Sequence, residues 1–141
     1  MTEGELDALA ARFNAAAIPR AEWTHHAHLR VGAWYVDRFG ADEALARLRV
    51  EIRRLNEANG VANTPTDGYH ETVTAAYVRL LAHFLGGCPP SMPFAERVAA
   101  MLASPVAGKD ALLRHYSREL LMSLPARAGW VAPDRDPLPE R

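Results

Sequence analysis

THHAHLRVGAWYVDRFGADEALARLRVEIRRLNEANG, Thr24 to Gly60, is the stretch on which the fold turns. Thr24 has the short hydroxyl side chain that caps a helix start, and Gly40 is the residue type that closes one, so a helix is expected from His25 to Phe39. Val31, Trp34, Tyr35, Val36 and Phe39 lie around most of its circumference. A helix apolar on so many sides belongs at the centre of its domain. A second helix is expected from Asp42 to Asn59, with Leu45, Leu48, Ile52 and Leu55 on one stripe and Gly60 as its stop. Glu43, Arg47, Glu51, Arg53 and Glu57 mark its opposite face as solvated, with several of them four apart. Arg47, Arg49, Arg53 and Arg54 are interleaved with acids, which argues for that solvated face and against a basic binding strip.

Outward from this stretch the helical period continues. Leu6, Leu9, Ala10 and Phe13 give a helix from Glu5 to Ala17, ended by Ile18-Pro19. Gly60 to Tyr69 reads as a loop, and Thr64-Pro65-Thr66-Asp67 resembles a capping box ahead of a helix from His70 to Leu85. Gly86 to Pro90 breaks the chain, Ser91 caps a short helix over Phe94 to Leu102, and Asp110 to Ser123 makes another that Ser117 can interrupt as an internal cap. From Leu124 onward Pro125, Pro133, Pro137 and Pro139 predict an extended tail, with Trp130 and Val131 pinning it to the helices. No internal repeat and no sustained strand alternation is present. The expectation is an all-α, single-domain bundle of about five to six helices over residues 1–141, with residues 124–141 as the extended Pro-rich tail packed on it.

A chain of 141 residues with 49% apolar and 23% charged residues suits one globular domain with its own core. The net charge of −1 supplies no attraction for nucleic acid or an anionic membrane. The acidic start and the lack of a long apolar run lead to an expectation of a cytoplasmic protein. The single cysteine, Cys88, excludes an internal disulfide and reads as an ordinary loop thiol.

Chemistry concentrates in three segments, WTHHAH (Trp23 to His28), GYHET (Gly68 to Thr72) and HYSRE (His115 to Glu119). His25 and His28, three apart at a helix start, share a face and can direct two ring nitrogens to one ion, whereas His26 points about 100° away. His70 and Glu71 follow a glycine turn. Imidazole and carboxylate suit Zn, Mn or Fe, and Glu71 fits as ligand, as orienter of a histidine or as general base. The plainer reading is a loop histidine beside an acid that complements a helix dipole. His115 and Glu119, four apart, are either site residues or a surface pair, and Arg118 between them offers a planar fork to an anion. His83 reads as a helix-end cation.

WTHHAHL, NTPTDGYHET, HYSRELL and AR-x-x-W-V-x-P-D together resemble a family of short, uncharacterised all-helical bacterial proteins, over most of the chain from Trp23 to the tail. The resemblance implies that these polar segments belong together and carries no catalytic assignment.

Three functions follow from these residues. The first is a small metal-dependent enzyme acting on a small molecule, with a divalent metal (Fe, Zn or Mn) on His25, His28, His70 and His115 and with Glu71 or Glu119 as the catalytic carboxylate. For this function the loop from Asn63 to Tyr69 forms a lid or wall of the pocket. The second is a metal-free module that binds a small anionic or aromatic ligand through the histidines with Arg118, Tyr69, Tyr77 and Trp34. The third is a helical interaction domain whose polar clusters are satisfied buried groups.

Overall fold

The computed structural model describes residues 1–140. Among them are six α-helices and no strand: α1 (Glu3–Asn14), α2 (His25–Ala58), α3 (Glu71–Gly87), α4 (Phe94–Leu102), α5 (Arg118–Leu121) and α6 (Leu124–Ala128). Single 3-10 turns lie at Arg20–Glu22, Pro105–Ala107 and Ala111–Arg114. The all-α class expected from the sequence is the class observed. None of these helices is long and apolar enough to cross a membrane.

Five of the six helix starts carry a side-chain cap, whereas α4 follows Pro93, and not the expected Ser91, without one. Thr2 Oγ1 accepts from the Glu5 amide while the Glu5 carboxylate accepts from the Thr2 amide, a reciprocal capping box that begins α1 two residues earlier than expected. Thr24 Oγ1 accepts from the Ala27 amide and starts α2 at His25, as its sequence suggests. The two helices expected on either side of Gly40 are both present as the two arms of α2, joined by a kink where Gly40 adopts φ 78° and ψ 166°. That conformation is nearly exclusive to glycine, so the bend is written into one residue.

Two expectations for the loop before α3 change. Thr64 Oγ1 accepts from the amides of Thr66 and Asp67, which closes a turn rather than starting a helix. The cap of α3 is His70, whose Nδ1 accepts from the Val73 amide. The Gly68 backbone lies so close to Ala62 O that a Cβ would be 2.5 Å away, which excludes any other residue there.

The C-terminal third departs further. No helix spans 110 to 123. Instead the Ala111–Arg114 turn ends at His115, and Ser117 starts the short α5 by accepting from the Leu120 amide. Residues 124 to 128, expected to be extended, form α6: Ser123 caps it and Pro125 occupies its first turn, where an absent N–H costs nothing. The extended tail therefore begins only at Gly129. Thr72 Oγ1 donates to Gly129 O and accepts from the Val131 amide, Tyr116 Oη donates to Val131 O, and Leu138 is buried.

The core divides into two clusters with α3 between them. One gathers Leu6, Phe13, Ile18, Val31, Tyr35, Leu55, Leu81 and Met101 from α1, α2, α4 and one side of α3. The other joins Ala76 and Leu80 on the back of α3 to Leu112, Tyr116, Leu121 and Leu138. Within the first sits a charged residue that the helical pattern assigned to solvent. Glu51 is 6% exposed and accepts from Tyr35 Oη at 2.8 Å and from Asn14 Nδ2. Tyr35 feels both its burial and this carboxylate, and its phenol is pushed well above the ordinary range.

Candidate functional site

Between the first turns of α2 and the middle of α3 lies a cavity of about 340 Å³. That volume is at the small end of ligand pockets. Leu29, Val31 and Gly32 form one wall, Leu48 and Ile52 from the second arm of α2 another, and Val73, Val78 and Leu81 of α3 the third. Gly32 accounts for the close approach of the helices here: a Cβ on it would lie 2.9 Å from Leu81 Cδ1. The polar lining consists of His25, His28, Thr74 and Tyr77, with Trp23 at one side. Among the described residues, no Lys, Arg, Asp or Glu lines it.

The hydrogen-bond partners fix which ring nitrogen carries the hydrogen. A backbone carbonyl only accepts, so a ring nitrogen facing one is the protonated nitrogen. His28 Nδ1 donates to Thr24 O at 2.7 Å, and His25 Nε2 donates to Ala107 O at 3.0 Å. In their neutral forms His28 Nε2 and His25 Nδ1 are therefore lone-pair acceptors, and neither makes a hydrogen bond to another described residue. His28 as a residue is exposed and so stands at the solvent side of the cavity, but its ring lies on Trp23 with centroids 3.8 Å apart. Desolvation of that ring holds its pKa below the usual histidine value, against the Thr24 carbonyl, which favours the charged form, and with a smaller push from His25. The rings of Tyr77 and His25 meet edge to face with centroids 5.9 Å apart, and the Tyr77 hydroxyl has no partner among the described residues. Burial, with a contribution from Asp110, raises its pKa. Trp23 stacks on Phe13, and its Nε1 is buried without an acceptor among the described residues.

The remaining residues singled out in the sequence lie elsewhere. His70 Nε2 donates to Leu121 O at 2.7 Å while Nδ1 accepts from Val73, so one ring nitrogen ties the start of α3 to the end of α5 and the other caps α3. Burial lowers its pKa, which keeps it in the neutral form that these two bonds require. Glu71 is clamped by Arg49 through two hydrogen bonds of 2.9 and 2.6 Å and accepts from Tyr69 Oη at 2.8 Å. The Arg49 guanidinium holds its carboxyl below the usual range, outweighing the opposing effect of burial. Tyr69 is thereby a buried structural donor, with Arg53 over its ring at 4.6 Å. Asn63 Oδ1 accepts from Asn56 Nδ2 and the Tyr69 amide, so it fastens its loop instead of facing a ligand. Trp34 Nε1 donates to Asp7, and Arg38 covers its ring, on the outer side of α1 and α2.

His115 Nδ1 donates to Asp136 O at 2.8 Å and lines a separate groove with Leu80, Pro105 and Arg114. Glu119 is exposed, and the break at Ser117 removes the shared face proposed for this pair. Arg118 lies in a groove with Lys109, Asp110 and Met122 whose other side is built by His25, Val73 and Tyr77.

The structure thus brings together His25, His28 and Tyr77, with Arg118 in the neighbouring groove, and separates His70, Glu71, His115 and Glu119 from them. Among the described residues no group of three or more His, Cys, Asp or Glu side chains is placed to hold one ion. Sequence reasoning missed Trp23 and the aliphatic walls. The one local signal for them was Gly32, a glycine inside an otherwise strong helix, which marks a close backbone approach. Comparison with family models, curated proteins and solved structures finds no match to the chain.

Proposed function

We propose that the protein binds a small, mostly apolar molecule in the cavity between α2 and α3. The observation that carries this reading is the lining itself: aliphatic and aromatic walls around about 340 Å³, with His25, His28 and Tyr77 each offering an unpartnered polar atom among the described residues. A few polar groups in an apolar concavity are what a ligand site requires, since the walls supply affinity and the polar atoms supply orientation. N-phenyl-1-naphthylamine, a neutral fluorophore that brightens in apolar surroundings, tests it. Saturable one-to-one binding is expected, and it is lost when Ile52→Trp fills the cavity. Fluorescence that rises without saturation, or is unchanged in Ile52→Trp, would sink the reading.

A second reading has its own support. Histidines that ligate a metal commonly donate their other nitrogen to a carbonyl, and His25 and His28 both do so. A Zn, Fe or Mn ion on this pair would complete its shell with water or substrate and could activate either. Zn²⁺ that raises the melting temperature of the wild type but not of His28→Ala supports it. The same shift in both, or none, argues against it.

A further inference from the structure

On the reading that the cavity binds a small molecule, we infer that its ligand is uncharged there and presents a hydrogen-bond donor, a hydroxyl or N–H, to the histidine side, and that carboxylates are rejected. Three observations converge on this. The first is the pair of backbone carbonyls, Thr24 O and Ala107 O, that take the N–H of His28 and His25 and leave a lone pair on each ring. Both carbonyls belong to the main chain, so no side-chain motion frees them. A ligand oxygen without a hydrogen would meet these lone pairs as a repulsion, whereas an O–H or N–H would complete them.

The second is the lining itself, in which no described residue is a Lys or Arg. A carboxylate moved from water into such a cavity loses its hydration and gains no counter-charge. The third is Tyr77, whose hydroxyl both donates and accepts, so that a ligand hydroxyl can give its hydrogen to a histidine and accept from the phenol. The low pKa of His28 agrees with a neutral, accepting ring. Lys109 and Arg118 lie in the adjoining groove beyond His25 and Tyr77, and they define the competing outcome: an anionic head seated there.

Three matched probes decide the matter by displacing N-phenyl-1-naphthylamine near pH 8: 2-naphthol, 2-methylnaphthalene and 2-naphthoate. All have the same bicyclic body, so the walls contribute equally. We expect 2-naphthol to bind about fivefold more tightly than 2-methylnaphthalene, the worth of one neutral hydrogen bond. We expect 2-naphthoate to bind at least about tenfold more weakly than 2-naphthol. In His28→Leu the ratio of 2-naphthol to 2-methylnaphthalene affinity falls, because one of the two accepting rings is gone. Equal affinity of 2-naphthol and 2-methylnaphthalene overturns the inference. So does 2-naphthoate binding as tightly as either, and if Arg118→Ala then weakens it, the anionic head sits in the adjoining groove. Both of these outcomes leave the cavity reading standing. If N-phenyl-1-naphthylamine itself fails to bind, the cavity reading falls first. Should His28→Leu not fold, the wild-type ranking of the three probes still decides.

Discussion

At the scale of single residues, the polar side chains that the sequence made conspicuous divide by what their hydrogen bonds leave over. Arg49 and Glu71 leave nothing. Glu71 has a side chain 10% exposed and Arg49 one 40% exposed, so the pair is half-dry and worth more than a surface bridge but less than a buried one. Arg49→Met strands the carboxylate with Tyr69 alone, and we expect a loss of about 1–2 kcal/mol in urea unfolding. The folded pKa of Glu71 is depressed, so its contribution is fully present above the unfolded value of about 4.3 and drains away as pH falls through the folded one. Urea midpoints across this acid limb should therefore fall more steeply for the wild type than for Arg49→Met. His70 is also depressed, because its burial disfavours the charged ring, and protonation would in addition cost it the bond from Val73. Above the unfolded value of about 6.5 there is no penalty, and as pH falls below it the unfolded chain takes up the proton first and stability declines. His70→Asn keeps a cap but loses the bond to Leu121, so we expect a cost of about 1 kcal/mol and a shallower decline below about pH 6.5. The slope shrinks without vanishing, since His28 is shifted in the same direction. Equal slopes in both proteins would contradict the assignment of His70.

At the scale of elements, α2 shows both how much the sequence discloses and where it stops. Its boundaries follow from Thr24 and Gly60, and its interior bend from Gly40, whose φ of 78° and ψ of 166° no other residue adopts comfortably. A Cβ at Gly40 meets nothing within 4 Å, so Gly40→Ala tests the backbone alone. We expect it to cost about 1–3 kcal/mol in urea unfolding. No change would mean that the bend is set by packing. Helix class, the break at Gly40, the cap at Ser117 and the pairing of His25 with His28 were readable because each depends on residues within one or two turns. The convergence of three histidine segments was not. What decides it is the set of acceptors that the rings meet: Ala107 O, Leu121 O and Asp136 O are main-chain carbonyls far along the chain, which any residue type provides and no sequence pattern advertises. For the same reason Glu51, solvated by its position in the helical pattern, is buried: its partner Asn14 comes from α1. Pro125 misled in the opposite way, because proline stops a helix interior but suits a first turn, and only Ser123 before it distinguishes the two.

At the scale of the whole molecule, α3 serves two cores at once, and this sets what holds the cavity in place. Its front carries Val78 and Leu81 into the cluster with α1 and α2, and Tyr77 touches both clusters from the cavity wall. Its back is covered by chain that has almost no helix of its own: the Ala111–Arg114 turn, α5 and the tail. The tail is thus a structural layer. Leu138 is 8% exposed among Leu80, Leu112, Tyr116 and Leu121, and Thr72, Tyr116 and His115 each spend a polar atom on tail backbone. Tyr116 is buried enough for its pKa to be pushed up to about 12, so its hydroxyl stays a donor to Val131 O at any physiological pH. Removing residues 130–141 exposes Leu138's neighbours, leaves Tyr116 Oη and His115 Nδ1 without their acceptors, and takes from Thr72 Oγ1 the Val131 amide it accepts from. Transfer of one leucine's worth of surface and loss of these hydrogen bonds amount to on the order of 3–6 kcal/mol, a large part of the stability of a domain this size. We expect the shortened chain to unfold at a markedly lower urea concentration. Where it is still folded, N-phenyl-1-naphthylamine should bind it with affinity close to that of the full chain, because no described tail residue lines the cavity. Weaker probe binding in step with the lost stability would mean instead that the back of α3 sets the geometry of its front.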